Sequence, residues 1–106
     1  MAPVPRLTPG RVYFTVEYFD EDMRLPTIKS YVYLGAGLLP PPDPKTHYFQ
    51  TAESFHSDGS WASLDLKQRV TFDFQCLLTC DEADLELFEN AEQLRAHLGE
   101  LVSRGL

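Results

Sequence analysis

Apolar side chains alternate with other residues from Arg11 to Phe19. Valine and aromatic residues dominate this run, and a period of two is typical of a β-strand. A second alternating run from Ile28 to Leu34 follows a polar connection, residues 20–27. Antiparallel pairing of neighbouring strands through a loop is the simplest arrangement, so the pattern predicts a hairpin.

The middle of the chain is less regular. Four prolines fall between Pro40 and Pro44 and predict a stiff, irregular loop, because proline lacks a backbone donor. His47–Gln50 predicts a short third strand, and residues 51–59 fit either one helical turn or a continuation of that strand. A further alternating run, Arg69–Leu78, predicts a strand that buries Cys76 on one face.

The last element carries the clearest helix signals. Asn90 suits the N-cap, Gln93 lies in the capping-box position, and Gly105 can end the helix. Four apolar residues form its buried stripe: Leu94, Leu98, Leu101 and Val102. We predict a turn at Asp81–Asp84, a short strand over residues 85–88, and then the capped helix. The alternative is one long helix that begins near Asp81.

Together these elements predict an α+β fold, an antiparallel sheet of four to five strands with a C-terminal amphipathic helix packed on one face. A chain of 106 residues fits one domain. We assign residues 1–10 to a flexible, proline-rich N-terminal arm and residues 11–106 to a single domain.

The charge balance restricts the class of partner. Nine Lys and Arg residues against sixteen Asp and Glu residues give a net charge of −7. Nucleic acids and anionic membrane surfaces are recognised through clustered cations, so we expect neither as a partner. The start of the chain lacks the apolar stretch of a secretory signal, and Cys76 and Cys80 fit a reducing compartment. We therefore expect a cytoplasmic protein.

No motif with a specific chemistry stands out. Cys76 and Cys80 have a Cys-x3-Cys spacing, which suits neither a zinc ribbon nor a redox pair, so we predict no metal site and no cofactor. Serines 54, 57 and 60 lie near His56 and Asp58 but lack the Gly-x-Ser-x-Gly motif of a nucleophile elbow.

One aromatic face suggests binding. If the aliphatic residues of the hairpin point inward, then Tyr13, Tyr31 and Tyr33 share the outer face, and Trp61 follows a Gly-Ser turn. Tyrosine and tryptophan are enriched at interface hot spots. Alternatively, another segment of the chain covers this face, and the sequence does not decide between the two.

The leading functional hypothesis is therefore a small acidic, non-enzymatic interaction domain, similar in character to an inhibitor, immunity or regulator protein, that binds another protein. The net negative charge favours a basic partner. This hypothesis rests on charge and size alone. The first alternative is a small enzyme or ligand-binding domain with a pocket near His47, Tyr48 and His56. The second alternative is a homodimer formed through the tyrosine face.

Overall fold

The computed structural model describes residues 7–18, 26–72 and 74–105, apart from the side chain of Phe74. Four strands form one antiparallel sheet in the order β1-β2-β3-β4. They are β1 (Val12–Tyr18), β2 (Pro26–Ala36), β3 (His47–Thr51) and β4 (Leu77–Cys80). The helices are α1 (Ala52–Asp58), α2 (Leu66–Thr71) and α3 (Ala91–Ser103), with 3₁₀ helices at Trp61–Ser63, Phe74–Cys76 and Glu82–Leu87. The predicted α+β class is confirmed.

The N-terminal arm and the connection before β2 are described only in part, because residues 1–6 and 19–25 lie outside the described residues. Residues 7–10 are attached to the sheet. The Gly10 amide donates to the Tyr33 carbonyl at 2.8 Å, and the Thr8 amide donates to the Tyr13 hydroxyl at 2.8 Å.

A hydrophobic cluster packs on each face of the sheet. On one face lies the cluster that we call the tyrosine core: Tyr13, Tyr33, Phe49, Leu85 and Phe88. On the other face lies the cluster that we call the tryptophan core: Leu34, Tyr48 and Trp61. Both clusters lie toward the end of the hairpin that holds Val32 and Tyr33. At the opposite end, Ile28 keeps 42% of its surface exposed, and Val12, the partner of Val32 on the edge strand β1, keeps 44%.

The predicted strand Arg69–Leu78 is largely wrong, since only its end enters β4. The Asp65 carboxylate and the Gln68 side chain form a reciprocal capping box, which starts α2 where alternation predicted a strand. The Arg69 guanidinium then donates to the Leu38 and Ala62 carbonyls, which fixes α2 against the preceding loop. Cys76 consequently lies in a 3₁₀ helix and is half-buried, not buried on a strand.

The C-terminal prediction is confirmed at its cap and corrected before it. Asn90 and Gln93 form the expected capping box, with both hydrogen bonds at 2.8 Å. Residues 85–88 do not form a strand, because Leu85 belongs to the 3₁₀ helix Glu82–Leu87. A single antiparallel bridge instead pairs Glu89 with Phe14, at the free edge of β1. Because the bridge directly precedes α3, it places the helix beside β1, where the His97 Nε2 lies 2.8 Å from the Tyr18 hydroxyl oxygen.

The buried stripe of α3 differs in part from the prediction. Leu101 is buried, Leu94 and Leu98 are half-buried, and Val102 is exposed. We expect Leu101→Ala to lower the free energy of unfolding by about 2 kcal/mol, because a buried leucine leaves a cavity when truncated. Val102→Ala, its neighbour, should change it by less than about 0.5 kcal/mol. Urea denaturation of both variants measures this difference, and equal losses would contradict the orientation of α3.

Candidate functional site

The tyrosine face is covered by a later part of the chain. Tyr13 and Tyr33 are buried against Phe49, Leu85 and Phe88. Leu85 comes from the 3₁₀ helix Glu82–Leu87, which we call the acidic 3₁₀ helix, and Phe88 follows it directly. The expectation that this face is open is therefore wrong for Tyr13 and Tyr33, and the segment that covers them is the acidic 3₁₀ helix with Phe88.

The four residues predicted to bind a partner consequently differ in how much surface they retain. Trp61 is completely buried and stacks on Tyr48, with ring centroids 5.5 Å apart. Tyr31 alone of the four is half-buried. Its ring meets those of Phe88 and Phe49 edge-on, at 5.8 Å and 6.4 Å. Tyr31 thus lies at the margin of the tyrosine core, where the covering segment ends.

A groove opens at this margin, between the sheet and the acidic 3₁₀ helix, with a volume of about 460 Å³. Apolar side chains from three directions line it. Leu78 comes from β4, Leu87 from the acidic 3₁₀ helix and Tyr31 from β2. Leu78 and Leu87 are both exposed. A volume of this size falls within the range of ordinary ligand and side-chain pockets.

Charged and polar groups from the sheet complete the groove. Glu17 and Lys29 form an ion pair, with Oε2 and Nζ 3.3 Å apart and both side chains about half exposed. Thr15, the cross-strand partner of Lys29, is only 9% exposed. Its Oγ1 is buried and has no hydrogen-bond partner among the described residues. Such an atom carries a desolvation cost that a bound donor or acceptor would relieve.

The acidic 3₁₀ helix gives the groove its electrostatic character. Six of the twelve residues from Asp81 to Glu92 are carboxylates, and the chain holds no Lys or Arg between Arg69 and Arg95. Asp84 lines the groove directly. Among the described residues, no cation forms an ion pair with Asp81, Glu82, Asp84 or Glu86. The groove therefore combines an apolar floor with the Glu17–Lys29 ion pair and with the carboxylate of Asp84, which no described cation neutralises.

Cys80 also lines the groove, and its thiol is held in the protonated form. Burial, followed by the nearby carboxylates of Asp84 and Asp81, raises the pKa of Cys80 to about 11. Burial together with Cys80 and Tyr13 likewise raises the pKa of Tyr33. A nucleophilic thiolate is therefore disfavoured at neutral pH. Both pKa values are higher in the folded state than in the unfolded state, so both groups contribute to the free energy of unfolding at neutral pH. The contribution of Cys80 declines as the pH rises toward its folded pKa of about 11.

We expect Cys80 to react slowly with iodoacetamide. In a Cys76→Ser variant at pH 8, the folded protein should be alkylated at least about tenfold more slowly than the same chain in urea, because the thiolate fraction is suppressed. Asp84→Asn removes one of the charges that raise the pKa and should accelerate the reaction. Equal rates in the folded and unfolded states would contradict the described environment of Cys80.

The residues of the predicted enzyme pocket do not converge. His47 and Tyr48 are neighbours on β3 and belong to opposite faces of the sheet. The His47 Nδ1 lies 2.8 Å from the Tyr33 hydroxyl oxygen, whereas Tyr48 stacks on Trp61. His56 is exposed on α1. The His47 Nε2 is buried without a hydrogen-bond partner among the described residues.

One of the three serines near His56, Ser54, takes part in a structural network. The Gln50 amide group donates to the Ser54 Oγ at 3.0 Å and accepts from the Trp61 amide at 2.9 Å. The Ser54 hydroxyl in turn donates to the Asp58 carboxylate at 3.2 Å, with no histidine between them. This network joins β3, α1 and the tryptophan core, and it does not form a Ser-His-Asp arrangement.

A second hydrogen-bonded chain was not predicted from the sequence. The His97 Nδ1 lies 3.0 Å from a Glu89 carboxylate oxygen, and its Nε2 lies 2.8 Å from the Tyr18 hydroxyl oxygen. In the sequence, His97 lies between leucines of the helix stripe and carries no further signal. The three residues connect α3 to the edge of β1, and we assign them a structural role.

A larger cavity, about 920 Å³, opens beside Leu7 at the start of the described residues. Arg11 and Glu86 line it together with Tyr13, whose hydroxyl already accepts from the Thr8 amide. Its lining holds one cation and one carboxylate, whereas the groove holds two carboxylates and one cation, so the cavity lacks the negative excess of the groove.

Comparison with known proteins gives no family. No family model matches the chain, and no curated protein or solved structure is a match. No helix in the described part of the chain has both the length and the apolar composition to cross a membrane. Any proposal about function therefore depends on the geometry of the groove.

Proposed function

We propose that this domain is a non-enzymatic interaction module that binds an extended basic segment of another protein in the groove. The observation that carries this proposal is an apolar floor, formed by Leu78, Leu87 and Tyr31, beside the carboxylate of Asp84, which no described cation neutralises. Interface centres combine apolar anchors with complementary charge in this way.

Charge complementarity favours a basic protein over other occupants. The net charge of −7 opposes pairing of two copies through the acidic 3₁₀ helix, because like charges would face each other. The same charge disfavours nucleic acid and anionic lipid. A basic polypeptide gains from both features of the groove, since its side chains carry apolar stems and cationic ends.

The two free thiols support a cytoplasmic location as part of this proposal. Cys76 and Cys80 form no disulfide with each other. Unpaired thiols persist where reductants keep them reduced. The partner would accordingly be another protein of that compartment.

Affinity capture with a matched pair of variants tests the proposal. Leu87 and Leu66 are both exposed, at 63% and 51%, but only Leu87 lines the groove. The wild-type domain and the Leu66→Ser variant should retain the same basic protein from an extract of the source cells, and Leu87→Ser should lose it. Retention by all three proteins, or no basic protein specifically retained by the wild type, would contradict the proposal.

A further inference from the structure

We infer that the groove is a guanidinium site, so that an arginine side chain anchors the basic segment; this inference rests on the proposed function. Acceptors for a planar cation stand on both the sheet and the acidic 3₁₀ helix. Glu17 lies on β1 and Asp84 on the acidic 3₁₀ helix, and both line the groove. Arginine can donate to both carboxylates at once, because its five N–H groups diverge within one plane.

The unpartnered hydroxyl of Thr15 favours an arginine guanidinium, with several N–H donors in fixed directions, over a lysine ammonium. The Thr15 side chain is more than nine-tenths buried, and its Oγ1 has no hydrogen-bond partner among the described residues. Thr15 lines the groove between Glu17 and the tyrosine core. This oxygen is shielded from solvent, so a guanidinium N–H reaches it only when side chains that line the groove move aside; the N–H would then satisfy the oxygen while other N–H groups remain on the carboxylates. A lysine ammonium offers only three donors from one atom.

The walls of the groove suit the rest of an arginine side chain. Tyr31 is held edge-on to Phe88, with an angle of 73° between the rings, so its orientation is fixed before a ligand arrives. Guanidinium groups stack on aromatic rings, and the three methylene groups of arginine can pack on Leu78 and Leu87. Preorganised walls lower the entropic cost of binding.

A substitution of Lys29 is expected to strengthen arginine binding, which tests the inference through a gain of affinity. The Lys29 ammonium occupies Oε2 of Glu17, the carboxylate that the arginine would use. Lys29→Gln should therefore strengthen arginine binding, because it removes both a competitor and a repulsive charge. Lys45→Gln, in the proline-rich loop, removes the same charge outside the groove and serves as the control.

The experiment is an NMR titration of the whole domain with three probes: N-acetyl-arginine amide, N-acetyl-lysine amide and N-acetyl-citrulline amide. Citrulline matches arginine closely in shape but carries no charge. We expect arginine to shift the amide signals of Thr15, Glu17 and Tyr31 saturably, and to bind about fivefold or more tightly than lysine. Citrulline should bind more weakly than either. Lys29→Gln should tighten arginine binding by about threefold relative to Lys45→Gln.

Thr15→Val keeps the shape of the side chain and removes its hydroxyl. It should weaken arginine binding by about threefold or more and leave lysine binding nearly unchanged. Ser30→Ala, which removes an exposed hydroxyl on the opposite face of the sheet, is its control. Unchanged arginine affinity in a folded Thr15→Val protein would show that the Thr15 hydroxyl does not accept a hydrogen bond from the guanidinium, and would overturn that part of the inference.

The failure of this inference can be told apart from failure of the proposed function. Equal binding of arginine and lysine, or shifts confined to residues outside the groove, would overturn the guanidinium site. The Leu87→Ser capture experiment would still stand if a basic partner depended on that residue. If Leu87→Ser retained the basic protein as well as the wild type does, by contrast, both the proposed function and the inference would fail.

Discussion

Replacing Phe49 with alanine is expected to lower the free energy of unfolding by about 3–5 kcal/mol, the usual cost of truncating a buried phenylalanine. Phe49 is fully buried on β3, the inner strand that pairs with both β2 and β4. Its ring stacks on that of Phe88 with centroids 3.8 Å apart, and it lies 5.2 Å from the Tyr33 ring. It is thus the centre of the tyrosine core.

A loss of that size would consume much of the total stability of a small domain, which is typically about 5–15 kcal/mol. Urea unfolding followed by tryptophan fluorescence measures it, because Trp61 is buried on the other face of the sheet. Leu87→Ala, an exposed residue of the acidic 3₁₀ helix, should change the same quantity by less than about 0.5 kcal/mol. A loss below about 1 kcal/mol for Phe49→Ala would mean that the acidic 3₁₀ helix and Phe88 do not cover this face.

Asp84→Asn is expected to weaken binding of the partner by about 2 kcal/mol, or about thirtyfold in Kd. The substitution preserves the shape of the side chain and removes a charge that no described cation neutralises. The free domain should remain as stable as the wild type, because the Asp84 backbone, not its carboxylate, makes the hydrogen bonds to Asp81. Binding kinetics by surface plasmon resonance measure the effect.

The control for this prediction is Glu53→Gln on α1, which removes the same charge outside the groove. It should slow association slightly, through the loss of long-range attraction, and leave the dissociation rate unchanged. Association of the wild type should also slow as salt rises, since the Debye length is about 8 Å at physiological ionic strength. If Asp84→Asn and Glu53→Gln changed the Kd equally, the affinity would depend on the net charge of the whole domain. That result would contradict a role for the groove.

The elements that the sequence predicted well are those determined by local chemistry. The first strand was expected over Arg11–Phe19 and is found at Val12–Tyr18, and the second is longer than expected, at Pro26–Ala36. The N-cap at Asn90 follows from the side-chain chemistry of two residues three positions apart. Such signals do not depend on the rest of the fold.

The burial of the hairpin could not be predicted in the same way. Alternation assigns residues to two faces, but it does not tell which face is covered. Here the aromatic face is buried under Leu85 and Phe88, more than fifty residues away in the sequence from Tyr33. The aliphatic face is covered around Val32 but left open at Val12 and Ile28. Tertiary contacts therefore decided the orientation of the tyrosines.

The candidate site was predictable only in its general character. The excess of carboxylates was visible in the sequence, and Tyr31 was one of the four residues predicted to bind and is the one that lines the groove. The groove itself depends on residues of β1, β2, β4 and the acidic 3₁₀ helix coming together, which no local pattern indicates. The capping box at Asp65 and Gln68 was a usable signal for α2, and it would have prevented the incorrect strand at Arg69–Leu78.

The most direct test of the central claim is to map the bound partner onto the domain by NMR. The isotope-labelled domain is titrated with the basic protein that the Leu66→Ser variant retains and the Leu87→Ser variant loses. We predict that the largest amide shifts fall on the groove, at Thr15, Glu17, Tyr31, Leu78 and Leu87. Shifts concentrated on α1 and α2, with the groove signals unchanged, would contradict the account.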